Sequence, residues 1–274
     1  MTYEHLVYTK RDRVGHVLLN RPRQLNALNQ KLQLELLDVV NAADADPEVG
    51  AIVFSGAPRP DGRGAFSAGA DMKEMATSPD PGATAEGVAE LVRLIMSREP
   101  IYTPPLIALC SRLETMHKPS IAAIDGVCTA GGLELALACD IRLAADTAQI
   151  SDLHMKNLGH IGGGGVSVRL ARTVGPAWAK QIMFTGEPLT PETALRIGLV
   201  NEILPSAQLL DRALALAASV AARRPEALGM AKSVMLAAAD LDLETALRYS
   251  LVGRASLYDR TAYSDFADRS TPAS

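Results

Sequence analysis

The chain has 274 residues, 48% of them hydrophobic and 21% charged, enough to bury a sizeable core without disulfide or metal staples. That composition excludes disorder as the main state, and aromatics at 4% argue against a chain of stacking platforms for single-stranded nucleic acid. The balance of 27 Lys+Arg against 31 Asp+Glu, net −4, argues against broad nonspecific nucleic-acid binding but not against a small local basic cluster.

Taken in chain order, Val14–Leu19 reads as a short strand stopped by Asn20-Arg21-Pro22. From Asn29, the residues Leu32, Leu36, Val39 and Val40 recur at helical spacing. Ala51–Ser55 has the apolar run of a buried strand, and a polar Gly/Pro loop, Gly56–Gly64, follows it. Pro79–Gly82 marks a second break. Pro104 to His117 reads as a helix, Ser120–Ile124 as a buried strand, Leu133–Cys139 as an apolar helix opened by Gly131-Gly132, and Ile141–Ala145 as a further strand. The quartet Gly162–Gly165 opens a helix over Ser167–Val174. Thr190-Pro191 has the form of an N-cap followed by proline at the first helical position. Helical periodicity then runs from Gln208 to Tyr258, broken near Arg224-Pro225. Two stretches follow, an α/β core over residues 1–204 and a helical region over 205–274 of the same unit, with no linker between them. No short-period repeat is visible in the sequence.

The cysteines Cys110, Cys128 and Cys139 are odd in number, lack a CxxC pair and sit in apolar stretches, so buried reduced thiols and a cytoplasmic location are expected. Neither a signal-peptide-like start nor a membrane-length apolar run is present. The five histidines show no metal-ligand spacing, so no metal site is expected.

Three glycine-rich elements invite chemistry. In Ala65-Phe66-Ser67-Ala68-Gly69-Ala70-Asp71, Ser67 could be a hydrolase nucleophile, although no strand runs directly into it as a nucleophile elbow requires. The same segment could instead supply backbone N–H donors, or be a tight turn alone. In Ala130-Gly131-Gly132-Leu133-Glu134, free N–H groups at the helix start suit a developing oxyanion. Glu134 among leucines suits acid–base work, while a helix-dipole glutamate is the plainer alternative. The quartet Gly162–Gly165 does not complete a dinucleotide fingerprint, and close packing against a ligand or the sheet explains it better.

Read together, these segments resemble the enoyl-CoA hydratase/isomerase (crotonase) superfamily. The resemblance rests on Leu19-Asn20-Arg21-Pro22 with Leu25-Asn26-Ala27-Leu28; on Phe66 to Met72; on Lys118-Pro119 through Gly131-Gly132-Leu133-Glu134 to Cys139-Asp140; and on Thr185-Gly186 with Gly198-Leu199-Val200-Asn201. It covers almost the whole chain. It implies an α/β spiral of repeated ββα units with a C-terminal helical trimerisation region, assembled as a homotrimer or a dimer of trimers. It implies an acyl-CoA thioester substrate, with coenzyme A as part of that substrate and no permanently bound cofactor. The thioester oxygen would lie between the N–H groups of Ala68 and Gly131, with Glu134 as the acid–base residue. Adenine and phosphates would lie along Leu25–Ala27 and Ala70-Asp71-Met72, with Arg23 and Lys73 as phosphate partners. Neither a nucleic-acid nor a membrane partner is implied.

One position departs from the pattern. Family hydratases hold one water between two glutamates, and Glu134 matches the first. Met155 falls where the second would stand and His154 falls one place before it, in a stretch whose register is uncertain by one. Asp152 or His154 could replace the missing group. The resemblance implies a hydratase-like lyase, and the loss leaves open an isomerase, a hydratase–lyase, or an acyl-CoA-binding homologue with weak or no hydratase activity.

Overall fold

The computed structural model describes residues 2–77 and 104–259. The break expected at Pro79–Gly82, and most of the stretch 77–103 expected to help shape an acyl pocket, lie outside the described residues.

The chain opens with a hairpin of β1 (Leu6–Arg11) and β2 (Val14–Leu19). Its two turn residues, Asp12 and Arg13, both have positive φ, at 51° and 62°. That is the turn geometry whose twist matches the flanking strands. β2 starts and ends where its apolar run predicts. β1 escapes the sequence pattern because, after the buried Leu6, its residues are exposed or half-buried.

β2 continues into a six-stranded sheet of order β1-β2-β3-β5-β7-β9, formed with β3 (Ala51–Gly56), β5 (Ser120–Ile124), β7 (Ile141–Ala145) and β9 (Glu202–Leu204). Every pairing after the hairpin is parallel. The parallel strands β3 and β5 read as unbroken apolar runs because both of their faces are covered. Side chains alternate between two cores at the strand period: Ile52 and Phe54 join the larger one, Ala51 and Val53 the smaller. The smaller core is closed by the C-terminal helix Ser206–Ala221, through Leu209, Ala213, Ala217 and Ala221.

A second sheet consists of three short parallel strands, β4 (Ala65–Ser67), β6 (Val127–Thr129) and β8 (Gln149–Ser151). The chain therefore repeats one unit. A strand in the large sheet leads to a strand in the small sheet and then to a helix. The three helices are α2 (Met72–Met75), α4 (Gly131–Ala138) and α5 (His154–Leu158). This is the ββα succession that the resemblance implies. Self-similarity in the sequence misses it, because strands of three residues carry too little side-chain pattern.

The remaining helices are α1 (Gln30–Ala45), α3 (Pro105–Thr115), α6 (Val166–Val174), α7 (Pro176–Thr185), α8 (Pro191–Arg196), α9 (Ser206–Ala221), α10 (Pro225–Ala238) and α11 (Leu243–Ser256). Thr190 caps α8 as expected, its Oγ1 accepting from Thr193 N at 3.2 Å. The C-terminal helical run breaks at Arg224-Pro225 and a second time before Asp242, which caps α11. Among the described residues, no helix is long and apolar enough to cross a membrane.

Candidate active site

The C-terminal ends of β4, β6 and β8 lie side by side, and each feeds one segment of the site: Ala68–Asp71, Ala130-Gly131 and Asp152–His154. Ligands commonly gather at the carboxyl ends of parallel strands. Here the three segments enclose a cavity of about 300 Å³ whose lining includes Ala68, Ala70, Gly131, Glu134, Leu106 and His154.

α4 rises from the floor of this cavity and is buried along its whole length. Gly132 brings it against β4, since a methyl there would overlap Ser67 O. The Ala130 backbone has φ 49° and ψ −118°, an unusual conformation for a residue with a side chain. It sets the plane of the Ala130–Gly131 peptide. Among the described residues, neither Gly131 N–H nor Ala70 N–H donates a hydrogen bond, and the two groups are neighbours: a methyl on Gly131 would sit 3.4 Å from Ala70 N.

This corrects the expectation for Ala68. Its N–H donates to Leu25 O at 3.0 Å, so it is already committed. Ala70, two residues on, carries the uncommitted donor beside Gly131. Ser67 is corrected as a nucleophile. It is fully buried, its Oγ donates to Asn26 O at 2.8 Å and accepts from Gly69 N at 3.2 Å, and no histidine is among its partners. Asp71 is engaged within the protein, pairing with Arg21 at 2.8 Å and capping α2 through Lys73 N and Glu74 N.

Leu25 and Ala27 act through their carbonyls, which accept from Ala68 N and from Arg21 Nη1. Neither lines the cavity. Met72 does line it, half exposed, beside Met75. Lys73 is exposed on the same short helix, and Arg23 is exposed on the 3-10 turn Pro22–Gln24, where it borders a shallow hollow with Arg21.

Glu134 is completely buried. Its Oε1 accepts from Gly164 N at 2.8 Å and from Val166 N at 3.1 Å, while Oε2 has no partner. The glycine quartet thus wraps backbone around a carboxylate, a more specific role than the close packing its sequence suggests. A methyl at Gly164 would lie 2.6 Å from Oε2. Arg169 braces this collar: Nη1 donates to Gly164 O, and Nε and Nη2 grip Glu114 at 2.8 and 2.6 Å. Burial pushes the Glu134 carboxyl above its ordinary range, against the pull of the two N–H donors and His154.

Across from Glu134 stands His154, at the start of α5, with Met155 turned away into the larger core. Of these two residues, His154 is the one that faces the cavity. Its Nδ1 lies 2.5 Å from Oδ1 of the fully buried Asp152. Burial pulls the imidazole pKa down, but the hydrogen bond and charge of Asp152 outweigh it and the net shift is upward. A methyl on Gly162 would overlap Glu134 Oε1 and lie 2.6 Å from His154 Cε1, so that glycine keeps open the space the two side chains share. All three cysteines are buried, and desolvation pushes their thiols up, to about 12 for Cys139.

A model of the enoyl-CoA hydratase/isomerase family matches residues 9–259. A probable enoyl-CoA hydratase of Mycobacterium tuberculosis is 35% identical over 249 residues, covering 91% of this chain and 88% of its own length. The short-chain-enoyl-CoA hydratase of Clostridium acetobutylicum is 33% identical over 249 residues, covering 91% and 87%. Among solved structures, the enoyl-CoA hydratase from Bacillus anthracis superposes with a TM-score of 0.82 at 29% identity, with 98% of each chain covered. The fold, the order of the three site segments and these likenesses agree that the chain belongs to the enoyl-CoA hydratase/isomerase family.

Proposed function

We propose that the protein is an acyl-CoA enzyme that interconverts an enoyl-CoA and its hydrated product, holding the thioester oxygen between Ala70 N–H and Gly131 N–H. The observation that carries this reading is one cavity lined both by two residues with uncommitted backbone donors, Ala70 and Gly131, and by the buried carboxylate of Glu134. As negative charge moves onto the thioester oxygen, fixed donors meet it without having to reorganise, and one such donor is typically worth ~10²–10³ in rate. Glu134, with an elevated pKa, exchanges a proton with water at the adjacent carbons. The conjugated thioester carbonyl itself takes up the charge as an enolate when water adds, so this chemistry asks for no resident cofactor. Arg23 and Lys73, both exposed, are suited to the phosphates of coenzyme A, with the adenine along Leu25–Ala27. A few local cations serve an anionic ligand even at net −4.

Residues 1–204 form the acyl-CoA-binding core in this reading, and 205–274 belong to the same unit. Apolar side chains exposed on α10 and α11 favour assembly as a homotrimer or a dimer of trimers. Buried thiols with raised pKa suit a reducing cytoplasm.

The test is turnover of a panel of enoyl-CoA thioesters followed by mass spectrometry, with Glu134→Gln as the variant. Loss of ~10²–10⁴ in kcat is expected, with CoA-ester binding retained. Unchanged turnover would remove Glu134 from the chemistry.

A further inference from the structure

Resting on the acyl-CoA reading, we infer that His154 is the second catalytic residue and Asp152 its positioning residue, a histidine–aspartate pair working opposite Glu134. Four observations converge. His154 borders the same cavity as Glu134, on either side of the space at Gly162. Its Nδ1 is tied to Asp152 Oδ1 at 2.5 Å, which leaves Nε2 as the outward nitrogen. Among the described residues Nε2 has no partner, and it is not one of the buried orphan atoms, so it opens to the cavity. Asp152 is wholly buried and, among the described residues, its Oδ2 is unpartnered and its only side-chain partner is one imidazole, a costly placement for a carboxylate. A histidine fixed through Nδ1 by a buried carboxylate presents Nε2 in one orientation, as acid–base histidines require.

Water attacks the β-carbon and passes a proton to the carboxylate of Glu134. A C–O bond forms, and the α,β π pair shifts so that charge reaches the thioester oxygen. The enolate collapses as His154 Nε2–H gives its proton to the α-carbon, forming the C–H bond. The proton on Glu134 then returns to Nε2 through the next water, so one water is added overall. Dehydration follows the reverse sequence. The groups facing His154 are Asp152 before it, Glu134 from α4 and His160, whose ring lies 6.0 Å away between centroids. The upward shift of the imidazole favours its charged, donating form.

The experiment compares wild type, His154→Gln and Asp152→Asn by enoyl-CoA turnover across pH, CoA-ester binding by calorimetry and imidazole titration by NMR. His154→Gln is expected to lose ~10²–10⁴ in kcat while still binding CoA esters, which also reports that the cavity has folded. Asp152→Asn is expected to lose less, to move the high-pH limb of kcat to lower pH, and to lower the His154 titration midpoint. A merely structural pair would shift the midpoint and leave the limb in place. Wild-type kcat in His154→Gln, or an unmoved limb or midpoint in Asp152→Asn, overturns the pair. Failure of wild type to bind any CoA ester would be a different result: it removes the acyl-CoA reading, and this proposal with it.

Discussion

Glu134 keeps both carboxylate oxygens out of water, yet only Oε1 is hydrogen-bonded. A buried carboxylate so placed costs the fold stability. Its folded pKa lies above the ordinary 4.5, so the native state binds the proton more tightly than the unfolded chain. Stability is therefore undiminished below the ordinary value and falls as pH rises through the window up to the folded pKa. Glu134→Gln should accordingly melt higher than wild type near neutral pH, with the gap closing in acid. A gap of equal size in thermal melts at both pH values would contradict this. Asn26 is a contrasting residue. Its Nδ2 donates to Ala57 O and Ala65 O, and its Oδ1 accepts from Arg21 N, all without exposure to solvent. The Leu25–Leu28 motif thus contains a structural stitch that holds the loop before β4, next to the segment that carries Ala70.

At the scale of elements, α9 is held by small side chains. Ala213 and Ala217 are fully buried against the large sheet, and a methyl on Gly50 would lie 2.8 Å from Ala221 Cβ. Close approach of this kind leaves no room for charge. Ala217→Asp should destabilise the protein by about 3 kcal/mol or more, from an unpaired buried carboxylate. Urea unfolding measures it, and a loss within the range of ordinary surface substitutions would show that α9 is dispensable to the sheet. The long elements were legible in the sequence because apolar spacing over five or more residues leaves a period. β4, β6 and β8, at three residues each, leave none. The site divides in the same way. Glu134 stood out as a lone carboxylate in an apolar helix start. Ala68 and Ala70 flank one glycine in near-identical chemistry, and only the bond from Ala68 N–H to Leu25 O separates them. The choice between His154 and Met155 is a rotation of about 100° on a helix, invisible until α5 has a defined start.

For the whole molecule, the outer faces of α10 and α11 carry Met235 at 73% exposure, Leu243 at 75%, Leu251 at 62% and Val252 at 66%. Apolar surface of this extent is characteristic of contact between copies. Sedimentation should give the mass of a trimer or of two trimers, and Leu251→Glu combined with Val252→Glu should release smaller species. A monomeric wild type would refute the assembly.

The position of α9 in the chain also bears on how the protein reaches its native state. It closes the smaller core over β2, β3, β5 and β7, all of which precede it. On the ribosome those strands emerge first, and their outer faces stay open until residue 221 has been made. Parallel pairings also join distant segments, so loop closure slows sheet formation. The nascent chain therefore presents a half-covered sheet for much of its synthesis, the kind of intermediate that chaperones recognise.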